Sequence, residues 1–192
     1  FFGQKFSKAY DIKYLNRENK LDYPYQTSWG VSTRMMGALI MVHSDDYGLV
    51  LPPRIAPNKV VIIPISNDLE VMSMANDYLD KLKKEGIEAY IDDSEKSPGY
   101  KFAEAEVLGI PVRIEIGKRD LENNVITLVR RDTREKREVF TNTDIVHDVK
   151  ILLEDIQRDM YDRALRRREE MTYTCTDIED FKDIINNHPG FV

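Results

Sequence analysis

A chain of 192 residues that is 42% apolar, with ten tyrosines and seven phenylalanines, has material for one complete domain and part of another and is not disordered. Its net charge of −6 excludes a protein that coats nucleic acid through a global positive field, so any RNA contact has to be local. The single cysteine excludes an internal disulfide and fits a reducing compartment, and no apolar run reaches the roughly 18–20 residues needed to cross a bilayer, so no membrane partner and a cytoplasmic location are expected.

The chain opens on Phe1-Phe2-Gly3 without an initiator methionine or a signal pattern, and the expectation is a fragment. Asp11 to Leu15 and Tyr23 to Ser28 read as strand pieces. Gly30 permits a close backbone approach, Ser32 and Thr33 favour a helix start, and Arg34 falls in the first turn, where free N–H groups attract anions. Met35 to Val42 reads as a buried helix, apolar on all sides, with Gly37 and Ala38 small enough to lie tight on a sheet; such burial would hold Arg34 still. Asp45 to Gly48 is a polar turn, and Pro52, Pro53 and Pro57 stiffen an extended connector.

Beyond the connector, Val60 to Ile65 is a β-branched apolar run of the kind covered on both faces of a sheet. Asn67 and Glu70 form an expected capping box, followed by Val71, Ala75, Tyr78, Leu79 and Leu82 at helical spacing until Gly86. Ile87 to Ile91 is the next strand, Tyr100 to Leu108 a short helix stopped by Gly109, and Pro111 to Ile116 a third strand. This βαβαβ order implies parallel pairing with right-handed crossovers. Val125 to Val129 and Glu138 to Phe140 read as a hairpin added at one edge. A long helix from Asp144 to Glu170 carries the stripe Ile145, Val149, Leu152, Ile156, Met160 and Ala164. Thr176 and Glu179 suggest a capping box for a last helix whose buried face would be Ile178, Phe181 and Ile185.

The run Thr27-Ser28-Trp29-Gly30-Val31-Ser32-Thr33-Arg34 with the helix after it resembles motif 3 of the class II aminoacyl-tRNA synthetases. Further words resemble the prolyl-tRNA synthetase family of archaeal and eukaryotic type, also found in some bacteria. They are Phe2-Gly3-Gln4-Lys5-Phe6 with Ala9 and Ile12, Gly48 to Pro57, Ser97-Pro98-Gly99-Tyr100-Lys101-Phe102, Gly109-Ile110-Pro111-Val112-Arg113 and Arg130-Arg131-Asp132-Thr133. The resemblance covers nearly the whole chain. It implies an α/β protein in three parts: the C-terminal end of a class II catalytic domain (motif 3 strand and helix) over 1–57, a βαβαβ mixed-sheet anticodon-binding domain over 58–150, and a linker helix with the start of a C-terminal α+β domain over 151–192.

The function so implied is activation of L-proline with ATP to prolyl-adenylate and transfer to tRNA(Pro), with Mg2+ neutralising developing charge and no covalent enzyme intermediate. Arg34 would meet the adenine and terminal phosphate of ATP, with Ser32 in the same pocket, since a guanidinium is planar, permanently charged and rich in donors. On pattern alone, an arginine in a first helical turn is equally a surface or salt-bridge residue. Trp29, Ser28 and Gly30 resemble the wall of the proline pocket, although a lone tryptophan at a strand end also serves as core. Upstream motifs 1 and 2 are absent from these residues, so the chain alone is expected not to activate proline. The family's dimer habit implies a homodimer for the intact enzyme, and a family zinc site, where present, would lie beyond Val192.

Phe102 and Glu106 stand four apart on one helix and so share a face, with Arg113 opening the next strand. Such a trio suits a guanine: the carboxylate accepts from N1 and N2, the guanidinium donates to O6 and N7, and the ring stacks. An aromatic residue with an ion pair in a βαβ unit also serves as plain structure. The trio matches the family's anticodon-binding domain, and because proline anticodons carry adjacent guanines, Arg119 and Asp120 are further candidates. Arg163, Arg166, Arg167 and Arg168 are either a solvated helix face or an RNA phosphate contact. Cys175 and His188 lack metal-ligand spacing, so no metal residue is assigned. The competing reading is a noncatalytic synthetase-like module that binds tRNA or protein.

Overall fold

The computed structural model describes residues 1–188 and 190–192. The chain divides into two compact units, Phe1–Ala38 and Leu39–Val192. Among the described residues, no helix is long and apolar enough to cross a membrane.

In the first unit a short helix α1 (Lys5–Ala9) precedes a two-residue-strand hairpin, β1 (Tyr14–Leu15) and β2 (Leu21–Asp22). Asn16 makes the hairpin turn, its Oδ1 accepting from the N–H groups of Glu18 (2.9 Å) and Lys20 (3.0 Å). The expected strand over Asp11 to Leu15 therefore shrinks to its last two residues. The expected strand over Tyr23 to Ser28 is irregular, apart from an isolated bridge between Gln26 and Gly3. Helix α2 (Arg34–His43) forms as the sequence indicates, but it has no buried residue, and Met35, Met36, Ile40, Met41 and Val42 are all exposed. The expected burial on all sides is not met: among the described residues only Gly37, Ala38, Leu39 and His43 of the helix are partly covered.

The Asp45–Gly48 turn leads to Pro52–Ala56, which turns back on itself with the Ile55 and Ala56 N–H groups donating to the Pro52 carbonyl. Pro52, Pro53 and Ala56 are buried, so the segment is a packed turn and not the extended connector expected from its prolines.

The core follows as β3 (Val60–Pro64), α3 (Leu69–Lys84), β4 (Ala89–Ile91), α4 (Pro98–Leu108), β5 (Val112–Ile116), α5 (Lys118–Glu122), β6 (Val125–Arg130), β7 (Lys136–Phe140) and α6 (Ile145–Glu170), with a last helix α7 (Ile178–Asn187). The five strands order as β4-β3-β5-β6-β7, with β3 parallel to β4 and β5, and β6 and β7 antiparallel at one edge. This is the mixed sheet expected; α5 is an addition.

Strand alternation assigns two faces. Val60, Ile62, Val112, Ile114, Ile116, Ile126 and Leu128 pack under α3 and α6 in the main core, joined by Val71, Leu82, Val149, Ile156 and Met160. On the other face α4 covers β3 through Val61, Ile63, Ala105 and Ile110, with Phe102 partly buried. Over β6 and β7 that face carries half-buried Thr127 and exposed Lys136, Glu138 and Phe140.

Capping departs from expectation at two helices. Asp68, not Asn67, precedes α3 and makes no side-chain cap, because its carboxylate accepts from Ser66 Oγ instead. At α7 the cap is Asp177, accepting from Glu179 and Asp180 N–H, and of the expected apolar face Ile178, Phe181 and Ile185 are exposed while Ile184 is the buried residue.

Candidate nucleic-acid interface

Because Val112, Ile114 and Ile116 face the main core, the residues between them, Arg113 and Glu115, point to the α4 side of the sheet. Helix α4 starts at Ser97, whose side chain caps the Tyr100 N–H, with Pro98 in its first turn, and it ends at left-handed Gly109 (φ 70°). Phe102 and Glu106 thus stand one turn apart above β5.

The three residues meet as the sequence indicates. The Arg113 guanidinium lies 4.5 Å from the Phe102 ring centre, and its Nη1 is 3.3 Å from Glu106 Oε1. Arg113 is more committed than expected, however. Its side chain is only 7% exposed, Nε and Nη2 reach Glu115 at 2.9 Å, and Nη1 also donates to the Phe102 carbonyl. The guanidinium is a buried brace beneath the ring, with its donors turned toward protein partners.

Two residues of this cluster escaped sequence reasoning. Glu115 is buried, and Lys136 Nζ contacts its carboxylate at 3.0 Å while lying 5.6 Å from the Phe102 ring centre. Lys136 is 56% exposed and is the cation that the cluster presents to solvent. A signal existed for Glu115, since two opposite charges alternate with isoleucine and valine in a strand otherwise made for burial. Lys136 needed the β6–β7 register, which pairs it with Val129. The recess beside Glu106 and Arg113 has a volume of about 10 Å³, room for one water at most, so a planar ligand would lie on the surface and not within it.

Arg119 and Asp120 sit on α5, beyond the far end of β5, and do not join the trio. Asp120 folds back over Gly117, where an added Cβ would stand 2.6 Å from its Oδ2, and Arg119 is exposed.

In the first unit, Ser28, Trp29 and Gly30 lie in irregular backbone. Trp29 is 87% exposed, and apart from Gly30 itself and its two chain neighbours no described residue comes within 4 Å of the position a Gly30 Cβ would take, so among the described residues they do not form a walled pocket. Ser32 Oγ accepts from the Arg34 N–H at 3.4 Å, which places both at the start of α2. Arg34 is exposed and has no ion-pair partner among the described residues.

Of the basic cluster on α6, Arg163 is tied to Asp132 at 2.9 Å, in a network with Arg130 and Asp159. Arg166, Arg167 and Arg168 are exposed. Cys175 is a free thiol, and among the described residues no group of three or more histidine, cysteine or acidic side chains stands ready to hold a metal.

A second ion pair lies behind α4. Arg131, 4% exposed, binds Asp45 through both Nη atoms (2.8 and 2.6 Å) and donates from Nε to the Glu106 carbonyl at 2.9 Å. The guanidinium holds the Asp45 carboxyl down at about 2.

Residues 59–146 match the family described as anticodon binding domain. All of the chain aligns at 50% identity with a proline–tRNA ligase of Lachnoclostridium phytofermentans, and 99% of it at 50% identity with one from Chlorobium chlorochromatii. The crystal structure of a prolyl-tRNA synthetase from Cryptosporidium parvum, complexed with L-proline and AMP, superposes on 96% of the chain with a TM-score of 0.85 and 35% identity. The chain spans 40% of the length of each of these proteins.

Proposed function

We propose that this chain, which belongs to the prolyl-tRNA synthetase family, is the part of a proline–tRNA ligase that reads the tRNA anticodon and completes the ATP site. In this reading residues 1–57 close the catalytic domain, 58–150 bind the anticodon, and 151–192 lead into a C-terminal domain. The whole enzyme, cytoplasmic and dimeric, would join L-proline to ATP and pass the prolyl group to tRNA(Pro).

The observation that carries the reading is the Phe102 cluster on the open side of the sheet. Phe102 rests on Arg113 and is only partly buried, so the part of its ring that stays exposed is what a base would stack on. Glu106 offers a carboxylate acceptor to guanine N1 and N2, and Lys136 offers an exposed ammonium for O6 or N7, the role first assigned to Arg113. Arg119 and Asp120, on α5, would meet a neighbouring base.

For the nucleotide, the donor set fits: Arg34 is an exposed guanidinium at the start of the ten-residue helix α2, where backbone N–H groups also favour phosphate. Arg34 would hold the terminal phosphate and stack near the adenine, with Ser32 beside it. Trp29, Ser28 and Gly30 would border proline once the rest of the catalytic domain surrounds them. Mg2+ has no acidic cluster to hold it among the described residues, and no step is derived through it.

The test uses the chain itself and fluorescence anisotropy with an anticodon stem-loop that exposes adjacent guanines. Glu106→Ala is expected to cost about tenfold in the preference for guanine over adenine, as one lost base-edge contact should. An unchanged preference removes Glu106 and this reading of the face.

A further inference from the structure

The base-reading residues ride on a helix whose exit is held by groups remote in sequence. Carbonyls at a helix C-terminus need donors, and here, besides the Gly109 N–H that returns to the Glu106 carbonyl at 3.1 Å, donors come from the segment after α2 and from Arg131, the residue that follows β6. The Glu106 carbonyl accepts from Arg131 Nε at 2.9 Å, the Val107 carbonyl from the Leu49 N–H at 3.1 Å, and the Gly109 carbonyl from the Leu51 N–H at 3.4 Å. Arg131 is itself fixed, because both of its Nη atoms are taken by Asp45 and its side chain is almost wholly enclosed.

The approach is close. Gly48 (φ +139°) lies so near the α4 exit that a Cβ there would stand 2.9 Å from the carbonyl oxygens of Glu106 and Val107. Arg134 stacks over Tyr47 at 3.7 Å and closes the outside of the same turn. At the other end of α4, Lys101 Nζ donates to the Asp92 carbonyl at 2.9 Å. Helix α4 is therefore pinned at both ends, and at its exit the pin is a charged one.

We propose that Arg131, oriented by Asp45, is a positioning residue for base discrimination. It touches no base; by holding the carbonyl of Glu106 it sets where the carboxylate of that same residue stands above Arg113. The inference rests on the proposed reading of the Phe102 cluster. Arg131→Lys keeps a cation against Asp45 but lacks the planar fork that serves the carboxylate and the carbonyl together.

The experiment measures stem-loop binding by the whole chain, with guanine and adenine versions of the loop, alongside melting temperature. Arg131→Lys is expected to fold and to lower the guanine preference by about tenfold, because a small displacement of Glu106 loses its paired hydrogen bonds. Arg131→Gln is expected to do the same while leaving the slope of log affinity against log salt unchanged; a direct phosphate contact would reduce that slope by about one. An unchanged preference in Arg131→Lys overturns the proposal, as does a reduced salt slope in Arg131→Gln. Should Arg131→Gln fail to fold, Asp45→Asn serves in its place, and retained preference there also overturns it. Phe102→Ala separates the two levels: if it leaves the preference intact, the reading of the face fails and this inference with it. If it abolishes the preference while Arg131→Lys does not, only the inference fails.

Discussion

Glu115 is the residue whose loss should be felt most at the candidate site, and the geometry says by how much. Its side chain is 7% exposed, and the carboxylate accepts from Arg113 Nε and is 2.9 Å from Nη2. Glu115→Ala removes both contacts and leaves a buried guanidinium with the Glu106 carboxylate at 3.3 Å and the Phe102 carbonyl. At about 1.5 kcal/mol for each bond to a charged group the loss is about 3 kcal/mol, the lower end of what stripping one partner from a buried pair costs. Arg113→Met strands less charge, because Glu115 keeps Lys136 at 3.0 Å, and is expected to cost about 2 kcal/mol. Removing both partners together leaves no isolated buried charge, so Glu115→Ala/Arg113→Met should be more stable than Glu115→Ala by about 1 kcal/mol. Urea denaturation followed by far-UV circular dichroism, dominated by the five-stranded sheet and its helices, compares the midpoints. If the double variant unfolds at lower urea than Glu115→Ala, the penalty does not come from a stranded guanidinium and the reasoning is refuted.

Asp45 should make stability fall in acid. Its carboxyl lies below the ordinary value, so the contribution is complete above about pH 4 and is lost as pH falls toward about 2. The drop from 3.8 to about 2 is worth at most about 2 kcal/mol, and since the side chain is 37% exposed, screening cuts this to about 1 kcal/mol; Asp45→Asn should flatten that acid limb in a pH series of urea midpoints. Asp144 caps α6 by accepting from the N–H groups of Val146 (3.1 Å) and His147 (3.3 Å), and Asp144→Ala is expected to cost about 1 kcal/mol in the same assay. Neutralising Arg166, Arg167 and Arg168 together should reduce the salt slope of stem-loop binding by up to about three if all contact phosphate, and an unchanged slope makes them a solvated face.

The sheet was legible because its strands carry their own burial signal. Val60 to Pro64 is buried at every residue, and a continuous β-branched run allows few other fates. The α3 stripe and the stop at Gly86 were legible for the same reason: periodicity and a left-handed glycine (φ 73°) are local properties. What failed depends on neighbours distant in sequence. The apolar residues of α2 and α7 announce a buried face, but composition cannot say whether a covering surface lies within these residues. Pro52 and Pro53 restrict φ in a turn as well as in an extended linker, and tertiary packing chose the turn. At the site, spacing on one helix placed Phe102 with Glu106, whereas Lys136 arrives through strand register, and Asp45 finds Arg131 across 86 positions.

The charge arrangement separates affinity from specificity. Arg113 and Lys136 are matched by Glu106 and Glu115, so the Phe102 cluster is close to neutral and lies in a chain of net charge −6. A neutral cluster adds little to phosphate attraction, and the recess beneath it is too small to swallow a base. In the proposed reading its contribution would therefore come from stacking on the Phe102 ring and from the directions of Glu106 and Lys136, which depend on sequence and little on salt. In that reading attraction for an RNA backbone would fall to exposed cations elsewhere, and Arg166, Arg167 and Arg168 on the last turns of α6 are three such cations in a row. The two properties should respond to different substitutions: changes around Phe102 alter the guanine preference at constant salt slope, and changes at the end of α6 alter the slope at constant preference. A variant of the Phe102 cluster that shifted the salt slope as much as the preference would show that both are carried by one surface.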